Sequence, residues 1–461
     1  MSCIGSLYNS GPAAGRPGDR RARGDRAVKL KRWFRRRGPE FIVRRAGALL
    51  GRYGVTPARG EARIQATVAL LAEYGCAPTF PTPGRVVQWH PHFIESLQAA
   101  GAEIAVHSFD HLDLKGYPPE EACEQLLKGA EVFERHGIEV CGFRCPYLSW
   151  SEGLLDALPA GRFGYSSNEA VWWDAAPLAG VKVDGPVLAK LTEFYEPRRA
   201  QSATSVPHTW RGLVEIPVCL PDDLQLHDGL KLGTEAIGAV WTDVLQQTHR
   251  RGEAFTLMFH PELAERCEGA FRTLLEQARG LQPHVWLARL RDIGDWWAEK
   301  ACFSAEAMPV PGGWRITFAS SERATILGRG LATDLPGGRD GAEVWWGPYS
   351  RLQGPVVEVA GEVLPFVGLP SGTPESSVVF LREQGYIVKS GELAERCAIQ
   401  VDGTTQAGLK SEVELIDHIE NCAGPLVRFW RWPDGARSAL SITGDLDALS
   451  LVDYAPRLWV R

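Results

Sequence analysis

Four short polar clusters in this chain each follow an apolar run of the length expected for a buried strand. Together they contain imidazoles and carboxylates that could bind a cation, an arginine that could pair with a carboxylate, and a further histidine. The clusters are residues 107–111 (HSFDH), 144–147 (RCPY), 257–260 (LMFH) and 443–447 (TGDLD). Each cluster taken singly is also compatible with an ordinary polar turn. Their shared position after strands is what indicates chemistry.

The histidine pair is the first of these clusters. His107 and His111 stand four residues apart, directly after the apolar residues 104–106. Two imidazoles on one tight loop can both reach a single metal ion. Two surface histidines in a turn would give the same spacing, so the pair alone leaves both interpretations open.

The second and third clusters offer groups that bind charge or move protons. Arg144 follows the strand-like run 139–143, and an arginine there can hold a carboxylate in its charged form. Pro146 stiffens the next turn, so a backbone N–H near Tyr147 can be fixed as an oxyanion donor. His260 follows the apolar run 255–259 and could act as a general acid near neutral pH. A structural ion pair and a structural histidine remain the alternatives.

The fourth cluster lies far from the others along the chain. Asp445 and Asp447 follow the apolar run 439–443 close to the C-terminus, whereas the other candidates fall between residues 107 and 260. Alternate residues of such a pair can do separate work, one binding a metal and the other accepting a proton. Two histidines and one aspartate leave open positions on a catalytic metal for water and substrate.

Helical and strand-like patterns alternate over residues 41–300. Helices are predicted at 62–74, 91–100 and 119–136, and strands at 77–80, 102–106, 139–143 and 255–259. This alternation indicates βα units around a parallel sheet or barrel. Catalytic residues collect at the carboxyl ends of the strands in such folds, which is where all four clusters stand.

The rest of the chain divides into three further segments. Residues 1–40 form a basic tail that we expect to be disordered, since residues 16–45 contain 13 Lys and Arg against 3 Asp and Glu. Residues 301–405 are predicted to be a β-rich domain, with strands at 314–318, 344–346, 356–359 and 377–381. Residues 406–461 contain a helix near 408–419 and the closing strand, which we expect to complete the barrel of residues 41–300.

Composition limits the class of protein. A formal net charge of −6 over 461 residues argues against general nucleic-acid binding. The 10 cysteines show no regular spacing and are best interpreted as free thiols in a reducing compartment. No apolar run approaches a membrane span, and the start of the sequence lacks a secretory pattern, so we expect a cytoplasmic protein. The basic tail could contact the anionic inner face of a membrane, although a solvated tail is the simpler interpretation.

These clusters resemble the motifs of the polysaccharide deacetylases of the NodB-homology family, also called carbohydrate esterase family 4. Residues 107–111 are similar to the family's H-[ST]-x-x-H motif, and residues 144–147 match its R-x-P-Y motif. Residues 257–260 are similar to its late L-x-x-H motif, and residues 443–447 resemble its opening T-F-D-D or T-x-D-x-D motif. The resemblance covers residues 60–265 and 429–461.

The order of the motifs departs from the family's pattern. The family's opening motif stands here at the end of the chain, while residues 62–80 resemble the helix and strand that normally follow it. The predicted fold class is therefore α/β, a distorted (β/α) barrel of NodB type that is circularly permuted and carries an inserted β-rich domain. The strand at 439–443 should then lie parallel to and beside the strand at 77–80.

The resemblance implies hydrolysis of an N-acetyl group on a sugar or glycan, with release of acetate. His107, His111 and Asp447 would bind a divalent cation, zinc being the first expectation, and Asp445 would be the base. Arg144 would hold Asp445 ionised, the Tyr147 backbone N–H would stabilise the oxyanion, and His260 would protonate the leaving amine. Its tuning carboxylate could be Asp174 or one of residues 222–223.

Two other functions stay open from the sequence. One is a catalytically inactive protein that uses the barrel to bind glycan. The other is a non-haem Fe(II) oxygenase, because two histidines and one carboxylate also suit that metal. For the enzyme, a lipid- or nucleotide-linked sugar at the inner face of the membrane is the expected substrate.

Overall fold

The computed structural model describes residues 50–180, 195–331, 344–401 and 411–455. The basic tail predicted at residues 1–40 lies outside the described residues. The last residues of the predicted C-terminal segment, from 456 onward, lie outside them as well.

Twelve strands form one large, mostly parallel sheet. In chain order they are β1 (Thr79–Thr82), β2 (Glu103–Val106), β3 (Gly142–Phe143), β4 (Tyr165–Ser166), β5 (Ala170–Trp172), β6 (Arg198–Arg199), β7 (His208–Trp210), β8 (Leu213–Glu215), β9 (Val218–Leu220), β10 (Ala254–Phe259), β11 (Val285–Leu287) and β22 (Ser438–Gly444). The predicted alternation of strands and helices around a parallel sheet is confirmed.

The sheet curls into a barrel through two interrupted strands. β3 pairs with β4, and β4 pairs with β8. The chain continues after short breaks into β5 and β9, which pair with each other, and β9 pairs with β10. From β10 the pairings continue through β22, β1 and β2 to β3. The chain connections from β4 to β5 and from β8 to β9 therefore join the two ends of this row of strands.

The C-terminal strand β22 is an interior strand of the barrel wall, between β10 and β1. It pairs in parallel with β10 from Ala254–Ala439 to Phe259–Gly444, and its Thr443 is the register partner of Thr79 in β1. Along its first half, β11 pairs with it on the same side as β1. The prediction that this strand runs parallel to and beside the strand near residue 80 is confirmed. Every residue of β22 is buried, as expected for an interior strand.

The segment that leads into β22 is anchored on the end of a helix. Helix α6 (Thr234–Arg251) ends at Gly252, whose φ of 68° is left-handed. Arg431 donates to the Arg251 carbonyl at 2.7 Å, Trp432 donates to the Gly252 carbonyl at 2.9 Å, and Arg437 also donates to a carbonyl of this last turn. Cations at a helix C-terminus satisfy its free carbonyls and its dipole.

The barrel is covered by helices that the sequence pattern largely anticipates. The predicted helices at 62–74, 91–100 and 119–136 are observed as α1 (Ala58–Glu73), α3 (Pro91–Ala99) and α4 (Pro119–Arg135). The other barrel helices are α2 (Gly84–Trp89), α5 (Glu152–Ala157), α6, α7 (Ala264–Gly280), α8 (Leu290–Lys300) and the short α12 (Leu451–Tyr454). Buried apolar side chains of α1 to α7 form one core with residues of the strands, and those of α8 lie in a second buried cluster.

The second unit contains three small sheets. β13 (Gly313–Ala319) pairs with β12 (Ser304–Val310) and β17 (Val356–Ala360), and a second sheet contains β14 (Ile326–Arg329), β15 (Val344–Trp346), β16 (Tyr349–Arg351) and β21 (Leu426–Phe429). The third, parallel sheet contains β18 (Leu364–Gly368), β19 (Val388–Lys389) and β20 (Cys397–Gln400). Residues beyond 405 therefore also belong to this unit. They form β21 and helix α11 (Glu412–Asn421), whose Leu415 and Ile419 lie in one buried cluster with side chains of this unit.

One predicted strand of this unit is wrong. Residues 377–381 lie in helix α9 (Glu375–Glu383). A five-residue apolar run carries no periodicity that separates a strand from a buried helix. Pro374 before the helix and the buried Ser377, Phe380 and Leu381 show the helical spacing that decides it. A short helix α10 (Glu392–Glu395) follows before β20.

Within the described ranges, no helix is long and apolar enough to cross a membrane.

Candidate active site

The two histidines and the C-terminal aspartate meet at the carboxyl ends of β2 and β22. The Nε2 atom of His111 lies 2.9 Å from Asp447 Oδ1, and the Nε2 atom of His107 lies 3.5 Å from the same oxygen. One donor atom from each of the three side chains falls within 4.8 Å of the others. Their spacing suits a shared cation, because three ligands around one ion stand close together with their lone pairs converging.

The orientation of His107 supports this assignment. Its Nδ1 is 2.8 Å from the Arg144 carbonyl oxygen, which accepts a hydrogen bond from Nδ1–H. The ring is fully buried, and its Nε2 has no hydrogen-bond partner among the residues that the structure describes. A buried imidazole nitrogen that faces two carboxylates without a hydrogen bond is what a metal ligand presents. The residues therefore fit a divalent cation with two nitrogen ligands and one oxygen ligand.

Asp445 is held by the buried arginine of the second cluster. Arg144 Nη1 donates to Asp445 Oδ1 at 2.7 Å and to the Thr443 hydroxyl at 2.9 Å. The other side of the guanidinium donates to Ser167, to its carbonyl at 3.1 Å and to its hydroxyl at 2.9 Å. Asp445 Oδ2 lies 3.9 Å from His107 Nε2, so this carboxylate borders the histidine–aspartate group without lying in it.

The loop that carries Tyr147 is conformationally constrained. Tyr147 and Leu148 both have positive φ, 63° and 53°, in the short 3-10 turn Pro146–Leu148. The Tyr147 ring stands edge-on to His111, with centroids 4.7 Å apart. Left-handed backbone in a non-glycine residue costs of order 1 kcal/mol and persists where surrounding contacts impose it. The turn thus holds the Tyr147 ring against His111.

His260 stands at the end of β10 and is paired with Asp223. The carboxylate accepts from the His260 backbone N–H and binds its Nδ1, each at 2.8 Å. Burial alone lowers the pKa of His260, but Asp223 raises it, with further contributions from Glu262 and Asp222, and the pKa ends well above its usual value. The alternative partner Asp174 instead contacts Trp172, Arg199 and Gln201 and is largely exposed.

The structure thus brings Asp445 and Asp447, near the C-terminus, together with the predicted site residues of segment 107–260, while the alternative partner Asp174 lies apart from them. Three further side chains that the sequence did not single out border them: Ser167, Asn168 and Glu262. Burial and the neighbouring Asp223 raise the pKa of Asp222 to about 7. Ser167, Asn168 and Glu262 belong to no motif and follow no spacing that marks them, so no signal in the sequence could have found them.

Comparison with protein families gives a match to part of this barrel. Residues 55–165 match the family model for polysaccharide deacetylases. The matched region contains His107, His111, Arg144 and Tyr147. The remaining site residues lie outside it.

Relatives are similar over a limited share of their length. A chitooligosaccharide deacetylase from Azorhizobium caulinodans is 29% identical over 99 residues, which are 20% of this chain and 45% of that protein. The chain thus spans about half the length of this curated relative.

Two solved structures align with the chain at low identity. A Mycobacterium smegmatis protein described as a polysaccharide deacetylase is 23% identical, with a TM-score of 0.41, covering 56% of this chain and 83% of its own. A pseudoenzyme of carbohydrate esterase family 4 from Bacillus anthracis is 15% identical, with a TM-score of 0.28, covering 47% of this chain and 57% of its own.

Proposed function

We propose that this protein is a metal-dependent hydrolase that removes N-acetyl groups from a sugar or glycan and releases acetate. The observation that carries the proposal is the convergence of Asp447 and Asp445, from the end of the chain, on His107, His111 and Arg144. The match to the polysaccharide deacetylase family and the similarity to a chitooligosaccharide deacetylase support sugar deacetylation.

His107, His111 and Asp447 would hold the cation, for which zinc is our first choice. A cation bound there would polarise the acetyl carbonyl and make a water molecule more acidic. Neutral imidazole nitrogens with one carboxylate are ligands that zinc accepts with positions left open. The hydrogen bond from His107 Nδ1–H to the Arg144 carbonyl fixes the tautomer in which Nε2 is available to the ion.

Asp445 would be the general base. Its Oδ1 is occupied by the Arg144 guanidinium, so Oδ2 is left to accept a proton from the attacking water. Arg144 is fully buried and bound on both sides, so it fixes the plane of the carboxylate. Because the base is already oriented, the activation free energy does not include the entropy cost of orienting it.

The Tyr147 backbone N–H and His260 would complete the reaction. The constrained turn at Pro146–Leu148 would hold the Tyr147 N–H as a donor for the oxyanion that develops on the acetyl oxygen. His260, protonated because Asp223 raises its pKa, would give a proton to the departing amine.

Two finer proposals concern the chain's origin and its substrate. The position of β22 between β10 and β1 supports a circular permutation that moved the family's opening strand to the end of the chain, with the second unit inserted before it.

The basic residues of segment 16–45 favour a substrate carried on an anionic group, a lipid- or nucleotide-linked sugar at the inner face of a membrane. Comparison of acetate release from lipid-linked, nucleotide-linked and polymeric N-acetyl sugars would test this. Higher kcat/KM on the polymer would contradict it.

The proposed activity is tested by metal analysis and acetate release on three proteins. These are the wild type, His107→Ala, and His92→Ala as a control whose side chain is 95% exposed on α3. The wild type and the control should bind about one zinc ion and release acetate, while His107→Ala should lose both properties. A wild type that binds glycan but no metal and releases no acetate would support the inactive glycan-binding protein instead. A protein that selects Fe(II) and consumes oxygen would support the oxygenase.

A further inference from the structure

The break between β4 and β5 lies directly behind the active site. Residues 167–169 interrupt the strand there, and two of them contact the arginine turn, the segment 144–148 that carries Arg144 and Tyr147. Ser167 accepts from the Arg144 guanidinium through both its carbonyl and its hydroxyl. Asn168 Oδ1 accepts from the Cys145 backbone N–H at 2.7 Å. This three-residue break therefore carries the acceptors that hold Arg144 and the start of the Tyr147 turn.

One buried carboxylate holds the break in shape. Glu215, at the end of β8, accepts through Oε1 from the backbone N–H groups of Asn168 at 2.5 Å and Glu169 at 2.8 Å. Its Oε2 accepts from the Ser166 hydroxyl at 2.5 Å. Glu215 is 4% exposed, and an interrupted strand leaves backbone N–H groups that the sheet cannot satisfy. The carboxylate supplies the acceptors that a continuous strand would have supplied.

We propose that Glu215 is a positioning residue of the active site, acting through residues 166–169 on Arg144 and Cys145. The inference rests on the proposed function, since Arg144 in turn orients Asp445. Three sets of hydrogen bonds connect Glu215 to Asp445: from Glu215 to residues 166–169, from Ser167 to Arg144, and from Arg144 to Asp445.

The charges around the break favour the hydrogen bonds between Glu215 and residues 166–169. Glu169, whose side chain lies close to Glu215, is neutralised from the other side: His208 and Arg198 lie 3.5 and 3.0 Å from its carboxylate. Burial alone raises the pKa of Glu169, but these two cations lower it to about 2. Arg198 is bound in turn by Glu412 of α11 in the second unit, at 2.5 Å. The second unit therefore supports the outer side of the break.

Glu103 offers a matched control. It is also a buried glutamate of the barrel, 5% exposed, and it accepts from the Thr79 hydroxyl, the Tyr165 hydroxyl and the Arg291 backbone N–H. It stands at the start of β2, at the opposite end of that strand from His107. Its removal should cost similar folding stability without disturbing the arginine turn.

The experiment compares Glu215→Ala and Glu215→Gln with Glu103→Ala in acetate release, zinc content and thermal unfolding. Glu215→Ala should lower kcat about 100-fold with little change in KM or zinc content, because a displacement of about 1 Å of a reacting group has that effect. Glu215→Gln should restore most of kcat, since the amide oxygen accepts both backbone N–H groups and the amide nitrogen can donate to Ser166. Glu103→Ala should keep kcat. An equal fall of kcat in Glu215→Ala and Glu103→Ala, or an unchanged kcat in Glu215→Ala, would overturn the assignment.

A second measurement does not depend on activity. Hydrogen exchange of the Cys145 amide should be at least about tenfold faster in Glu215→Ala than in the wild type and unchanged in Glu103→Ala. Unchanged exchange in Glu215→Ala would also overturn the assignment. If Glu215→Ala does not fold, Asn168→Ala removes the next link and should give the same exchange and kcat changes. A wild type without acetate release would refute the proposed function, while the exchange experiment would still decide the role of Glu215.

Discussion

At the residue scale, the His260–Asp223 pair determines how the site should respond to pH. His260 is buried, which by itself favours the neutral imidazole, and Asp223 reverses this preference through its charge and its hydrogen bond to Nδ1. Glu262 and Asp222 add to the negative surroundings. A general acid must be protonated before it reacts, so activity should persist below the raised pKa of His260 and fall as pH rises through it.

The first prediction is that Asp223→Asn moves the alkaline limb of kcat/KM to lower pH. The substitution removes the charge that raises the pKa of His260 and leaves the burial that lowers it. The shift should exceed about one pH unit. Asp174→Asn, which changes an exposed carboxylate away from His260, should leave the profile in place. A limb that moves equally in both variants, or in neither, would show that His260 is not the acid.

The second prediction separates the two aspartates of the fourth cluster. Asp447→Asn should lose zinc, because Oδ1 of Asp447 faces both histidine nitrogens. Asp445→Asn should keep zinc and lose activity by about 10²–10⁴-fold, the usual contribution of a general base. Zinc content by elemental analysis and acetate release measure the two effects. Retention of activity in Asp445→Asn would remove it from the mechanism.

At the element scale, β22 shows how one strand sets the position of both aspartates. Thr443 near its end donates to the Leu257 carbonyl at 2.8 Å and accepts from Arg144, and the next residue, Gly444, ends the strand. A Cβ at Gly444 would meet the ring of Phe259 at 2.7 Å and the ring of Phe80 at 2.9 Å. The absence of a side chain at this position lets the two rings pack directly beneath Asp445.

The third prediction is that Gly444→Ala destabilises the barrel and weakens catalysis together. Two packed aromatic rings must move to admit the methyl group, which costs about 1–3 kcal/mol. The same displacement shifts Asp445 relative to Arg144, so kcat should fall as well. Gly280→Ala is the control, because a Cβ there meets no atom within 4 Å. Denaturant unfolding and acetate release measure both effects. Equal stability of the two variants would contradict the packing argument.

The sequence predicts elements well where their pattern is long and poorly where it is short. The helices α1, α3 and α4 and the strand β10 have enough apolar positions to show their period. Residues 377–381 are too few to do so, and the helix there was predicted as a strand. The two-residue strands β3 and β4 have no period at all, so the break behind the active site could not be predicted.

Site residues, too, could be predicted only where the sequence around them has a clear pattern. Histidines, arginine and the aspartate pair could be recognised because each cluster stands at a strand end. The carboxylate that pairs with His260 could not be chosen between Asp174 and residues 222–223, since each follows an apolar run. Only the path of the chain brings Asp223 to His260 and leaves Asp174 on the surface. The role of Glu215 likewise depends on a backbone irregularity that leaves no mark in the sequence.

At the scale of the whole molecule, the barrel and the second unit share a core. Trp296 and Trp297 of α8 lie in one buried cluster with Leu327 of β14 and Phe380 of α9. Trp432 is in the same cluster, and its ring centroid lies 5.7 Å from that of Trp297. The buried Lys300 donates to the Glu383 carbonyl of the second unit at 2.6 Å. Two units that share buried tryptophans of this size should unfold together, because removing either exposes the other's core.

The two ends of the described chain also meet, and beside the site. The Leu451 backbone N–H donates to the Gly54 carbonyl at 2.9 Å, and the rings of Tyr53 and Tyr454 stack with centroids 5.2 Å apart. Tyr53 donates to Glu262, the residue two positions after His260. If the order of the chain is a permutation, joining these ends and opening the chain elsewhere should leave the structure intact.

The fourth prediction tests that order. A rearranged chain would begin at residue 303, continue to residue 455, pass through a flexible linker, and then run from residue 50 to residue 302. The linker can be short, because about eight residues reach up to ~25 Å. The new ends fall between α8 and β12, where Ala301 and Cys302 are exposed. This arrangement puts β22 directly before α1, the order that the resemblance to deacetylases implies, and keeps the second unit.

The matched control is residues 50–455 in their natural order, which contains the same described residues. Both chains should bind zinc equally, melt within about 5 °C of each other, and release acetate at similar rates, because a folded core depends on contacts and only weakly on where the chain is opened. A natural-order chain that folds and binds zinc beside a rearranged chain that does neither would show that the order of the strands is required for folding. The permutation would then be the wrong account of why Asp445 and Asp447 stand at the end of the sequence.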